Sequence, residues 1–204
     1  MRNDTRASPM KLILASASPR RAEILHDAGI VFEVCAAKVD ETPLPGEPAQ
    51  ALVARLAEAK ARAAAAQCNN GTSGYIVLGA DTAVELGGDI FGKPRDGAEA
   101  REMLQKLSGR THHVLTGIFL LRLPDRATCA AVENTAVTFA PLRRGEIDAC
   151  VASGESLDKA GAYAIQGLAG RHILRIDGCY FNVVGLPVAR LYALLRELGW
   201  EDQQ

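Results

Sequence analysis

Nowhere in this chain of 204 residues do two cysteines form a Cys-x-x-Cys pair. The five cysteines, Cys35, Cys68, Cys129, Cys150 and Cys179, are odd in number and widely scattered. That excludes a local zinc ribbon and predicts free thiols in a reducing compartment. The histidines His26, His112, His113 and His172 lack the spacing of metal ligands. No apolar run is long enough to span a bilayer. Leu12-Ile-Leu-Ala15 follows Arg2, Arg6 and Lys11 but is too short for the apolar core of a secretory signal, so a cytoplasmic location is expected. A surplus of basic charge is missing too. With a formal net charge of −1, bulk binding to nucleic acid or to an anionic membrane is excluded, and any anion site must be a local basic cluster. Repeats and linkers are absent. The reading is one domain over residues 11–199 behind a disordered extension, residues 1–10.

What is present is an ordinary globular composition, 48% apolar and 23% charged. Its most informative stretch is residues 12–28. Leu12–Ala15 has the length of a buried strand. Ser18-Pro19 then reads as an N-cap and a proline at the first helical position, and Gly29 supplies the stop. Arg20 and Arg21 fall in the first turn of that helix. The macrodipole already makes this end positive, so two arginines there gain from an anion, for which phosphate is the obvious choice. The bland alternative is a solvated arginine pair.

Residues 30–36 read as a second strand, completing a βαβ-like unit. The proline-rich loop 39–48 carries the adjacent acids Asp40 and Glu41, and acids on loops are usually solvated. Ala49–Gln67 reads as an alanine-rich helix with Leu52, Leu56, Ala59 and Ala63 on one face. Lys60 lies beside that stripe and reads locally as a snorkelling lysine. Tyr75–Ala80 reads as a central strand running directly into Asp81-Thr82, a carboxylate and hydroxyl where open α/β sheets bind ligands. The competing reading is a turn aspartate. Residues 87–89 signal a hairpin, and Lys93 follows on a loop near Asp81. A helix from Asp96 to Leu107, long strands over 111–123 and 128–140, and a short helix over 143–153 come next. His112 and His113 have no acidic partner at a defined spacing and read as structural. Residues 158–167 are punctuated by glycine without periodicity, as in a binding loop. Asp177-Gly178 signals a hairpin between strands 173–176 and 179–183, and a helix over 188–198 closes the chain. The class is α/β with a mixed sheet.

Seven motifs now stand in order: Leu14-Ala-Ser-Ala-Ser-Pro-Arg-Arg21, Leu78-Gly-Ala-Asp-Thr82, Gly92-Lys-Pro94, Leu107-Ser-Gly109 with Thr116-Gly117, Asp158-Lys-Ala-Gly-Ala-Tyr163, Ile165-Gln-Gly167 and Asn182-Val-Val-Gly-Leu-Pro187. Together, from about Lys11 to Leu198, they resemble the Maf family, known also as septum-formation inhibitor proteins. The resemblance implies a nucleoside triphosphate pyrophosphatase, releasing a monophosphate and pyrophosphate. It implies an elongated, twisted mixed sheet with flanking helices, in two lobes around a central cleft, as in the inosine triphosphatase-like pyrophosphatases. Ala-Tyr-x-Ile-Gln-Gly resembles the dTTP/UTP branch; alternatives are the 7-methyl-GTP branch and a non-catalytic nucleotide sensor acting in septum formation. Ala164 and Ala83 depart slightly from the family pattern. The matching positions make Asp81 the proton acceptor. They link Arg20, Thr82 and Gln166 to substrate choice, place Ser16, Arg21, Lys60 and Lys93 at the phosphates, and place Glu41, with Asp81, at a metal. The resemblance further implies a divalent cation, Mg2+ first with Mn2+ or Co2+ as alternatives, and a homodimer.

Overall fold

In the computed structural model the described residues are 10–67 and 74–201. The expected extension therefore lies outside them except for Met10, which packs against the apolar core, and of the stretch 68–74, which reads from its polar composition as a loop, only Gly74 lies within them. Strand β1 (Lys11–Leu14) leads into helix α1 (Pro19–Asp27) and a short β2 (Phe32–Val34). Helix α2 spans Ala49–Gln67. Strands β3 (Tyr75–Leu86) and β4 (Asp89–Phe91) form a hairpin, followed by α3 (Gly97–Leu107). Strands β5 (Thr111–Leu123) and β6 (Thr128–Phe139) precede α4 (Arg144–Ala152), β7 (Ile173–Asp177), α5 (Tyr180–Val184) and α6 (Val188–Glu197).

Seven strands make one mixed sheet in the order β2-β1-β3-β5-β6-β7, with β4 also on β3. β1 is parallel to both β2 and β3; the remaining pairings are antiparallel. The strand expected to stop at Ala80 runs unbroken through Asp81 and Thr82 to Leu86. Its pairing, rather than its length, creates the opening. On one side β1 covers Tyr75–Leu78 and β4 covers Val84–Leu86, which leaves the edge between them bare of a partner strand.

Side chains alternate across a strand. Ile76, Leu78 and Ala80 face one apolar cluster together with α1 and α6, and Val84 faces a second with α3 and α4. Thr82 falls between these two cores. Val77 and Ala83 face α2, and Asp81 shares their side. Helix α2 lies unusually close to the sheet because Gly79 and Gly117 sit beneath it: a methyl group on either would run into the carbonyl of Ala57 or Val53. Its buried face is Leu52, Val53, Leu56, Ala57, Ala61 and Ala64, so Lys60 stands within that face rather than beside it.

One expected strand is a helix. Tyr180–Val184 coils because Asn182, fully buried, donates its amide to the Val114 carbonyl and to Thr135 Oγ1, both at 2.9 Å. That tertiary anchor overrides a locally β-favouring sequence. The free-thiol reading also fails at Cys35, which is disulfide-bonded, whereas Cys129, Cys150 and Cys179 are free. Scatter along a sequence says nothing about which segments meet. No helix among the described residues is long and apolar enough to cross a membrane.

Candidate active site

A cleft of about 810 Å³ opens at the bare edge of β3. Every expected site residue lines it: Ser16, Arg20 and Arg21 from the β1–α1 turn, Glu41 from the long loop, Lys60 from α2, Asp81 and Thr82 from β3, Lys93 after β4, and Gln166. Residues not singled out beforehand join them, Lys38, Asp158, Lys159 and Gly185 among them. The signals for Asp158 and Lys159 were their place in a glycine-punctuated loop and at the head of the motif Asp158-Lys-Ala-Gly-Ala-Tyr163, to which no role was attached. Six basic side chains (Arg20, Arg21, Lys38, Lys60, Lys93, Lys159) face three carboxylates (Glu41, Asp81, Asp158), so a chain of near-zero net charge concentrates cations in one cavity.

Asp81 and Lys60 form the centre. Lys60 Nζ lies 2.6 Å from Asp81 Oδ1 and 2.6 Å from Glu41 Oε1, which makes it a bridge between two carboxylates and rules out the snorkelling reading. Glu41 is presented by a loop tied to α2. Arg55 donates to both Glu47 carboxylate oxygens, at 2.6 and 2.7 Å, and to the Thr42 carbonyl at 3.2 Å. Asp40 is occupied within that loop, accepting from the Thr42 N–H at 2.9 Å. Burial pushes the Asp81 carboxyl above its ordinary range, against the pull of Lys60 and Arg21. Glu41 differs. Burial works to raise it too, but Lys60, with Lys93 and Arg21 behind it, more than offsets that and holds it below its usual value. Neighbouring carboxyls whose environments push them apart are the usual basis for dividing acid–base and ligand roles.

The two arginines prove unlike. Arg21 is buried, and its guanidinium donates to the Gly185 carbonyl at 2.8 Å, Ser16 Oγ at 3.0 Å and Thr82 Oγ1 at 3.1 Å. It ties the start of α1 to β3 and to the turn after α5. Burial lowers its pKa, with Asp81 opposing. Losing Arg21 would therefore cost stability, which sets aside the reading of a solvated arginine pair. Arg20 is the accessible member, paired only with the largely exposed Asp158 at 3.2 Å. The expected hydroxyl cap from Ser18 is not made; instead the Ser18 N–H donates to Ser16 Oγ at 3.2 Å.

Thr82 is committed as well. Thr116 Oγ1 donates its one proton to the Asn182 carbonyl at 3.1 Å. The 2.9 Å contact between the threonines therefore carries the Thr82 proton, while Thr82 accepts from Arg21. This buried seam parts the two apolar cores and leaves the Thr82 hydroxyl no spare proton. Gln166 is the opposite case: its side chain is exposed, and no hydrogen bond fixes its amide among the described residues.

No group of three or more His, Cys, Asp or Glu able to hold a metal occurs among the described residues. Glu41 and Asp81 offer two carboxylates, a set that fits Mg2+ carried largely by substrate phosphates and water rather than a cation caged by protein alone.

The fold and cleft thus define an α/β protein that gathers six basic side chains around one buried carboxylate. The family profile described as Maf-like protein matches residues 11–198, and the chain belongs to the Maf family. Among curated relatives, a dTTP/UTP pyrophosphatase of Anaeromyxobacter sp. Fw109-5 is 52% identical over 192 residues, covering 93% of this chain and 90% of that one. The dTTP/UTP pyrophosphatase of Geobacter sulfurreducens is 50% identical over 93% of this chain and 97% of its own length. That of Myxococcus xanthus is 50% identical, with 92% of each chain covered. Among solved structures, a nucleoside-triphosphatase / dITP/XTP pyrophosphatase from Mycobacterium abscessus aligns with a TM-score of 0.37 at 15% identity, over 65% of this chain and 76% of that one. That likeness is too low to carry an argument.

Proposed function

We propose that this chain hydrolyses UTP and dTTP to the monophosphate and pyrophosphate, with Asp81 as the proton acceptor for the attacking water. The observation that carries the reading is the placement of Asp81: a carboxyl of raised pKa, braced by Lys60, on the floor of a cleft with twice as many cations as carboxylates. The names borne by relatives half identical over nearly the full length supply the substrate class. Attack at the α-phosphorus builds charge on the departing pyrophosphate. Arg20, Lys93 and Lys159, fixed around the cavity beforehand, stabilise that charge without reorganising. Arg21 and Ser16 hold the start of α1 so that its first-turn amides, which the Ser18 side chain leaves uncapped, face the anion. A divalent cation, Mg2+ in this reading, would be held by Glu41 and Asp81 and would supply further charge neutralisation at the phosphates. The domain is proposed as residues 11–199, the chain as a cytoplasmic homodimer.

Gln166 is proposed to read the base. Uracil and thymine present an acceptor at O4 and a donor at N3, which one amide can match. An amide that no hydrogen bond among the described residues holds can also turn to match cytosine, so selectivity requires the bound state to fix it. The test is kcat/KM over UTP, dTTP, CTP, purine triphosphates and 7-methyl-GTP, with and without Mg2+, scored by pyrophosphate. The expected result is preference for UTP and dTTP, with a selective loss of both in Gln166→Glu, because a carboxylate cannot donate to O4. Preference for 7-methyl-GTP, or a uniform loss across substrates, would remove Gln166 from base reading. Binding without pyrophosphate release would support a nucleotide sensor.

A further inference from the structure

The most deeply buried ionisable group with no part in the proposed chemistry is His112, on β5 and without exposed surface. Its Nε2 is hydrogen-bonded to the Tyr163 hydroxyl at 2.7 Å, while Nδ1 has no partner among the described residues. The rings of His112, Phe139 and Tyr163 pack against one another with centroids 4.9–5.4 Å apart. Leucine would fill this space and leave no orphaned nitrogen. A histidine here costs stability, and what it contributes in return is the bond to Tyr163. Burial holds its pKa down at about 4, so the ring is neutral near pH 7.

Tyr163 ends an irregular turn. Gly161 and Ala162 both adopt left-handed backbone, φ 69° and 61°. For alanine that is disfavoured, and it persists only where the surroundings over-determine it. Here Ala162 is fully buried, the Gly161 N–H donates to the Gly92 carbonyl at 3.1 Å, and the Tyr163 anchor follows at once. Beyond Tyr163 the chain lines the cleft through Ala164 and Ile165 to Gln166. A turn closes across Gln166, the Gly167 N–H donating to the Ala164 carbonyl at 3.2 Å, and the next side-chain tie follows where the Leu168 N–H donates to Glu155 Oε2 at 2.9 Å. Ile165 packs against the first apolar core, but no side-chain hydrogen bond among the described residues holds Gln166, so the Tyr163 hydroxyl is the last side-chain hydrogen bond before it.

We propose that His112 is a positioning residue for substrate selection: through the Tyr163 hydroxyl it holds the left-handed turn at Gly161–Ala162 and so sets where Gln166 meets the base. The proposal rests on the reading of the cleft as a pyrimidine nucleotide site. The deciding variant is the double substitution His112→Leu with Tyr163→Phe. It removes both polar partners together, leaves no buried donor or acceptor unpaired, and keeps the apolar cluster filled. Hydrogen exchange of residues 158–168 is measured without nucleotide, alongside kcat and KM for UTP and CTP. The expected result is an unchanged or higher Tm, faster exchange in this segment alone, and a KM for UTP raised about fivefold with kcat nearly kept. The preference for UTP over CTP narrows by a similar factor. Unchanged exchange, or faster exchange with an unchanged UTP to CTP ratio, overturns the proposal and leaves His112 a packing residue. Should the double variant fail to fold, Tyr163→Phe alone decides by the same readouts. A parent protein that hydrolyses no pyrimidine triphosphate overturns the substrate reading instead, and the exchange result still decides whether His112 holds the turn.

Discussion

Lys60 is the cation that keeps Asp81 usable. Burial alone would drive the Asp81 carboxyl upward, and the Lys60 charge and hydrogen bond work against it. A general base acts when ionised, so kcat/KM is retained above its pKa and falls as pH drops through it. Because the Asp81 pKa is raised, the acid limb of the profile is expected above the ordinary aspartate range, about 4. Lys60→Met, by removing the opposing charge, should move that limb to still higher pH while lowering the plateau. A limb that stays in place would separate Asp81 from proton transfer. The arginine pair divides in a similar way. Arg20→Ala should raise KM for the nucleotide and leave Tm nearly unchanged, since an exposed ion pair contributes little. Arg21→Ala should cost about 2 kcal/mol or more, because three acceptors, two buried and one half-buried, lose their donor. Thermal melts of both variants, free and with nucleotide, check the division. The sequence could not separate these neighbours, because a helix start presents two adjacent positions to solvent or core according to its tilt on the sheet.

Among the elements, α2 sets Lys60 against Asp81 of β3, and it does so through glycine in the strands below. Gly79→Ala should lift the helix from β3, cost about 3 kcal/mol by overpacking, and pull Lys60 away from Asp81. Denaturant melts and the pH profile together check this, since the acid limb should rise as in Lys60→Met. The bounds of α2 were legible from the alanine run and its apolar face. Its rotational phase was not, because alanine marks inside and outside alike, and that hid Lys60 within the buried face. β3 misled differently. Asp81-Thr82 after an apolar run looks like a strand end, because a charged residue in a central strand normally has both faces covered. Here the gap between β1 and β4 opens one edge, so the strand continues and still exposes its carboxylate to the cleft. α5 was illegible for a third reason, since the groups anchoring Asn182 come from β5 and β6, far away in sequence.

At the scale of the whole molecule, two apolar cores share one long sheet, with the polar seam of Arg21, Thr82, Thr116 and Asn182 between them. The family resemblance implied the nine expected site residues, seven of them within the motifs, and the fold brings all nine to one cleft. What they could not show is that some of the nine, Arg21 and Thr82 foremost, are held within this seam rather than free to face a ligand. The central claim is pyrophosphate release by way of Asp81, and product analysis tests it directly. Purified parent and Asp81→Asn proteins are incubated with UTP and Mg2+, and the products are resolved by phosphorus NMR. The account predicts UMP and pyrophosphate in equal amounts from the parent, and a rate lower by about a hundredfold or more in Asp81→Asn, with an unchanged melting temperature. UDP and phosphate as products, or an Asp81→Asn protein that turns over at the parental rate, would contradict it.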